Sequence, residues 1–208
     1  MSSPPTNPCC TAEPHWQSEK QLTNFSLPPA MRYWLLDDGS LSNRLAIAGR
    51  GNFKVRRISQ RWQTPLPSER VALGMPPRQL ALIREVSLLV LDKPVVFARS
   101  IFPVSSLQGK LTHLRKLQNK PLGAILFKHP GMHRSPFELA LLAGNSDYLP
   151  SSVRQSSAAW GRRSRFVIEG KPLMVSEVFL DGFTPWPRSL PIHRTQRGRV
   201  SAVHATPN

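Results

Sequence analysis

The sequence predicts an α+β domain, an antiparallel sheet of about six strands with helices on one face. Three observations carry this expectation. Residues 83–102 and 160–180 each have the form of a β-hairpin. Apolar residues recur at helical spacing over 31–48 and 107–117. The remaining strand-like segments follow one another through turns, and antiparallel strands can be joined that way whereas parallel ones need long crossovers.

The second hairpin turns at Glu169-Gly170-Lys171-Pro172. Glycine supplies the positive φ of a tight turn, and proline is kept out of a central ladder, so it marks the start of the returning strand. On that strand Leu173, Val175, Glu177 and Phe179 share one face. Glu177 is a carboxylate flanked by large apolar groups, which is costly unless it has a partner. It is either a site acid in an apolar pocket or an edge-strand residue pointing at solvent. The first hairpin leads through Asp92-Lys93-Pro94. The offset between Pro94 and Pro172 also carries Arg84 to Arg162 and Arg99 to Glu177, a hint of similar placement in one sheet. Arg84 shares its face with Leu82, Val86, Leu88 and Val90, so a buried arginine there calls for an anion.

The other elements follow in order. Residues 1–24, rich in Ser, Pro, Thr and Asn, are expected to form a disordered lead-in. Pro28-Pro29 opens a helix through Met31, Trp34 and Leu35, and Asp37-Asp38-Gly39 breaks it. Ser40 caps a second helix from Leu41 to Ala48, ended by Gly49. A basic strand runs from Asn52 to Trp62, with a bulge near Ile58 where the alternation changes parity. Residues 64–78 carry Pro65, Pro67, Pro76 and Pro77 and are expected to be a loop. Pro103 opens a helix through Leu107, Leu111, Leu114 and Leu117. Pro121-Leu122-Gly123 is a turn whose backbone N–H groups are free for an anion. His129 and His133 lie in a polar Pro-Gly segment, which argues against shared metal ligation. Residues 137–143 are a further strand and 144–159 a polar connection. The domain spans 25–185, and 186–208 is expected to be a basic disordered tail.

Composition narrows the partners. The 28 Lys and Arg against 12 Asp and Glu give a formal charge of +16, which favours anionic ligands. Cys9 and Cys10 are the only cysteines, consistent with a reducing compartment. No apolar run is long enough to span a membrane, and the first 25 residues lack the apolar core of a secretory signal. A cytoplasmic monomer without metal or other cofactor is expected. Phosphate loops, zinc spacings and hydrolase elbows are missing from the motifs. What remains is one Arg and one Glu on apolar strand faces. Arg grips a carboxylate with a planar fork, and Glu holds a hydroxyl or moves a proton. Together they suit a small ring bearing a carboxylate and a hydroxyl.

The order of several motifs resembles the chorismate–pyruvate lyase family. They are Leu-Leu-Asp-Asp-Gly-Ser-Leu-Ser-Asn-Arg-Leu at 35–45, Ile-Arg-Glu-Val at 83–86 and Ala-Arg-Ser-Ile-Phe-Pro-Val-Ser-Ser-Leu at 98–107. Lys-Pro-Leu-Gly at 120–123, Trp-Gly-Arg-Arg-Ser-Arg at 160–165 and Ser-Glu-Val-Phe-Leu at 176–180 follow. The resemblance implies a cofactor-free enzyme that converts chorismate to 4-hydroxybenzoate and pyruvate for ubiquinone synthesis, with its ligand buried under helix–turn–helix flaps. It implies that Arg84 binds the ring carboxylate, that Leu122 gives a backbone amide and that Glu177 contacts the ring hydroxyl. The family's flap methionine falls on Leu41, where a backbone contact survives the change. Arg99, Arg162, Arg163 and Arg165 either draw in a dianionic substrate or pair with Glu85, Glu138 or Glu169. A non-catalytic, effector-sensing binder of small aromatic acids is the alternative function. Nucleic-acid binding has only the charge in its favour, with no aromatic–basic motif behind it.

Overall fold

The computed structural model describes residues 13–22 and 27–185. Six long strands dominate: β2 (Phe53–Gln63), β3 (Ala81–Val90), β4 (Lys93–Pro103), β6 (Glu138–Leu142), β7 (Ala159–Ile168) and β8 (Lys171–Phe179). Two short ones, β1 (Gln17–Ser18) and β5 (Met132–Arg134), complete one antiparallel sheet in the order β1-β6-β7-β8-β4-β3-β2, with β5 also on β7. Both hairpins form, the second on Glu169-Gly170 and the first one residue ahead of the expected Asp92-Lys93-Pro94, whose lysine and proline open β4. Their two-residue turns, Leu91-Asp92 and Glu169-Gly170, have positive φ at both positions, which matches the twist of the flanking strands. The register of β2 on β3 slips between Arg57 and Ser59, so the bulge sits at Ile58. The exposed Lys54, Arg56 and Arg57 keep this edge strand charged and discourage further pairing.

Helices α1 (Pro29–Leu35) and α2 (Leu41–Ala48) lie where proline at the first position and Ser40 at the cap place them. The Ser40 hydroxyl accepts from the Asn43 N–H at 3.4 Å. Their apolar stripes bury Trp34, Leu35, Leu41 and Leu45 against Val86, Leu88 and Phe179. A second cluster sets Leu107, Leu111, Leu114, Leu117 and Leu126 on Leu82, Phe166 and Leu173. Both clusters cover the same sheet face.

Several expectations are corrected. Residues 64–78 hold a helix, α3 (Pro67–Leu73). Its prolines stand where a helix tolerates them: Pro65 and Pro67 at its start, Pro76 and Pro77 beyond Gly74, whose φ of 63° closes it. The Glu69 carboxylate accepts from the Leu66 N–H at 2.9 Å, capping the first turn. The segment after Pro103 is two 3₁₀ pieces, Val104–Ser106 and Gly109–Lys116, separated by Leu107 and Gln108, with Gly109 opening the second at φ 61°. Its leucines three apart fit the shorter 3₁₀ period. The polar His-Pro-Gly segment contains β5.

Part of the lead-in also has described structure, because β1 pairs Gln17 with Leu139 and Trp16 stacks edge-on against Tyr148 at 6.1 Å. Residues 1–12 and 23–26 and the basic tail lie outside the described residues. α3 and the 144–158 connection cover the far sheet face, where Leu73 packs on Ile83 and Met174, and Leu149 and Val153 join the core with Phe97 and Val178. Among the described residues no helix is long and apolar enough to cross a membrane.

Candidate active site

The two core clusters on the helical side do not meet everywhere. Between them lies a cavity floored by β3, β4, β7 and β8 and roofed by the α1–α2 turn with the start of α2. The four residues singled out from the sequence, Arg84, Glu177, Leu122 and Leu41, all line it. Strand parity explains the convergence. Arg84 pairs across with Ser100, Val86 with Ala98, and Glu177 with both Ala98 and Arg162. Directly paired residues point to the same face, so one sheet surface carries them all.

Arg84 is 1% exposed. Its Nη2 donates to the carbonyls of Gln118 and Lys120 at 2.8 and 2.9 Å, which fixes the guanidinium. Among the described residues no carboxylate pairs with it, and its buried Nε has no acceptor. Burial, with the like charge of Arg57 added, lowers its pKa to about 10. A desolvated cation with unused donors favours an anion beside it. The Ser164 Oγ, also on the cavity, is a second buried polar atom without a partner among the described residues.

Glu177 has a half-buried side chain at 19% exposure and accepts from Arg162 Nε at 2.7 Å. Arg162 is itself 2% exposed. Its Nη1 donates to the carbonyls of Trp34 at 2.7 Å and Asp37 at 3.0 Å, both in the roof. Arg134 on β5 reaches Asp38 of the roof turn at 2.6 Å. Burial, reinforced by the like charge of Arg162, lowers the Arg134 pKa to about 10. The guanidinium carbons of Arg134 and Arg162 lie 4.3 and 4.6 Å from the Phe137 ring centre. Ion pairs match Arg44 with Asp37, Arg134 with Asp38 and Arg162 with Glu177, so Arg84 is the cavity cation left without a carboxylate among the described residues.

Leu41 is the first residue of α2, and Leu122 immediately precedes α4 (Gly123–Leu126). A helix leaves its first N–H groups without intrahelical partners, and both helix starts line the cavity wall. The ends pack tightly: a Cβ on Gly123 would come within 3.1 Å of Ser40 Oγ. Glycine is what lets this turn approach the other.

The carboxylate partner of Arg162 is Glu177, and not Glu85, Glu138 or Glu169 as the sequence suggests. Arg134 went unnoticed, because three residues in a polar segment give no strand periodicity. Arg99 and Arg163 take the structural role. Arg99 pairs with Glu69 and Glu85, and Arg163 with Glu138, on the face away from the cavity. Among the described residues no group of three or more His, Cys, Asp and Glu side chains is placed to hold a metal.

Residues 11–188 match the family model for chorismate lyase. A protein named probable chorismate pyruvate-lyase from Methylococcus capsulatus is 39% identical over 162 residues, covering 76% of this chain and 99% of the relative. A second, of the same name, from Pseudomonas aeruginosa UCBPP-PA14 is 38% identical over 165 residues, 79% of this chain and 90% of the relative. Among solved structures, the effector domain of PhnF from Mycobacterium smegmatis aligns with a TM-score of 0.50 at 12% identity, over 70% of this chain and 91% of that one. That likeness shows the fold alone. The extent of the family match and the identity to its members show that this chain belongs to the chorismate lyase family, a family of carbon–oxygen lyases.

Proposed function

We propose that the protein eliminates pyruvate from chorismate and leaves 4-hydroxybenzoate, the precursor of the ubiquinone ring. The observation that carries this reading is the cavity itself. It sets Arg84, which has no carboxylate partner among the described residues, and Glu177, held by Arg162, on one apolar surface that Leu41 and Leu122 line at two helix starts. Arg84 takes the ring carboxylate, with the Leu122 amide beside it. Glu177 accepts from the ring hydroxyl, and the Leu41 amide donates to that oxygen.

The chemistry asks for little more. The ether C–O bond breaks, and the hydrogen on the hydroxyl-bearing ring carbon passes to the side-chain methylene. That methylene becomes the methyl group of pyruvate, and the ring gains its third double bond. Aromatisation supplies the driving force, and all atoms of the substrate appear in the two products. A cavity that folds the side chain over the ring contributes by proximity, which in well-oriented systems reaches about 7–11 kcal/mol. The site amides and the Arg162-bound Glu177 are fixed before the substrate arrives, so they need no reorganisation.

Release of pyruvate and 4-hydroxybenzoate in equal amounts from chorismate tests the reading directly. Tight binding of 4-hydroxybenzoate without turnover would indicate a sensor. Glu177 shares its oxygen with a permanent cation, so its role in this scheme is to hold the hydroxyl. Glu177→Gln should therefore lower kcat by about tenfold, short of the roughly 10²–10⁴-fold that positioned acid–base catalysis supplies. A loss in that larger range would assign proton transfer to Glu177.

A further inference from the structure

Arg162 has no assigned part in binding, yet its side chain is among the most deeply buried in the molecule. It makes contacts in two directions. Nε binds Glu177 on the cavity floor at 2.7 Å, and Nη1 binds the roof through the carbonyls of Trp34 and Asp37 at 2.7 and 3.0 Å. Both carbonyls belong to the end of α1 and the turn after it, where a helix leaves its last acceptors unsatisfied and where a cation is favoured. The face of Phe137 supports the guanidinium from the side at 4.6 Å. The same turn carries Gly39 into the cavity lining and leads directly to Leu41. Arg162 therefore bonds to floor and roof alike, while Arg134 on β5 makes a separate tie to the roof at Asp38.

We infer that Arg162 is a positioning residue that couples closure of the roof to the placement of Glu177. The inference rests on the proposed reaction for its kinetic consequence, and on geometry for the coupling. Among the described residues Glu177 has no hydrogen bond or ion pair to the roof, and Arg162 is the side chain that hydrogen-bonds to both. With the roof shut, the two carbonyls fix Nη1, and the planar guanidinium then aims Nε at the Glu177 carboxylate. With the roof open, Arg162 loses both acceptors and Glu177 loses its fixed orientation. Only arginine serves all three acceptors at once. A lysine keeps the charge but offers one point of attachment, and so satisfies the floor or the roof.

A double-mutant cycle with hydrogen exchange tests this, using Arg162→Lys, Glu177→Gln and the pair in the full chain. Thermal unfolding of each variant confirms that it is folded. Arg162→Lys should lower kcat about tenfold with KM within about twofold. In the Glu177→Gln background the same change should have almost no further effect, because the group that Arg162 positions is already gone. Exchange of the amides of residues 36–44 should quicken in both single variants, including Glu177→Gln, which touches nothing in the roof. Unchanged turnover in Arg162→Lys, or an equal loss in both backgrounds, would overturn the proposal and leave Arg162 a structural ion pair. If the wild-type protein releases no pyruvate from chorismate, the reaction reading fails on its own. The coupling is then decided by exchange: faster roof exchange in Glu177→Gln upholds it, and unchanged exchange overturns it.

Discussion

Replacing Arg84 with alanine is expected to raise KM for chorismate and Kd for 4-hydroxybenzoate about 30-fold to several-thousand-fold, with a smaller change in kcat. Removing one partner of a buried, hydrogen-bonded charge pair costs about 2–5 kcal/mol, and each 1.4 kcal/mol is tenfold in affinity. Arg84 is suited to the upper part of that range. It is buried, held by the carbonyls of Gln118 and Lys120, and without a carboxylate of its own among the described residues. A ligand carboxylate therefore displaces no competing ion pair. The variant should stay folded. Loss of two carbonyl contacts is offset by removal of a desolvated, unpaired cation, so the melting temperature should move by only a few degrees. Arg84→Lys should fall between the two, keeping charge but losing the fork. Titration of the purified variants with 4-hydroxybenzoate reads this directly, and an unchanged KM would remove Arg84 from the binding site.

Arg99 lies on the neighbouring strand and should give the opposite result. Arg99→Ala is expected to destabilise the fold by about 3–5 kcal/mol, the usual penalty for stripping a buried carboxylate of its cation. Its Nε and Nη2 grip both oxygens of Glu69 at 2.8 and 3.2 Å, and Nη1 binds Glu85 at 2.7 Å. Glu69 is 1% exposed and also caps α3 through Leu66. Glu85 accepts as well from Ser59 on β2 at 2.7 Å. Burial alone would lower the Arg99 pKa, but Glu69, with Tyr148 and Glu85 behind it, outweighs burial and raises it above the ordinary value. The guanidinium thus ties β2, β3, β4 and α3 together on the face away from the cavity. At about 2–4 °C per kcal/mol for a chain of this size, the melting temperature should fall by roughly 10 °C. KM measured well below that temperature should stay unchanged. A variant that melts with the wild type, or one with a large KM increase, would reverse the assignment.

The contrast between these two arginines marks the boundary of what the sequence could say. Arg84 shows its face by its neighbours, since Leu82, Val86 and Leu88 repeat at every second position. Local free energies of this kind are written in short windows: strand alternation, the positive φ of a two-residue turn, a serine cap, a proline at a helix start. They located both hairpins, α1, α2 and the bulge at Ile58. Together with the quoted motifs they also singled out Arg84, Leu122, Glu177 and Leu41, which the fold brings to one cavity. The prolines of 64–78 misled because proline breaks a helix interior but starts a helix equally well, and Glu69 and Gly74 decide which. The leucines of 107–117 fit both an α and a 3₁₀ period over so short a run.

Charge partners were beyond the reach of the sequence. Arg162 and Glu177 meet because the register of the β7–β8 hairpin sets them opposite each other. That Arg162 also reaches Trp34 and Asp37, more than a hundred residues away, depends on where α1 settles on the sheet. Arg134 enters the cavity because β5 adds to the edge of β7, and three residues are too few to carry a period. Which arginine binds a ligand and which holds the fold is a question of desolvation and available acceptors. Those quantities exist only once distant segments are packed. The sequence by itself determined the two hairpins, α1, α2 and the bulge, and with its motifs singled out four residues that come to line one cavity; the tertiary structure decided α3, the 3₁₀ pieces, β5 and the electrostatic partners, because these follow non-local burial and not local pattern.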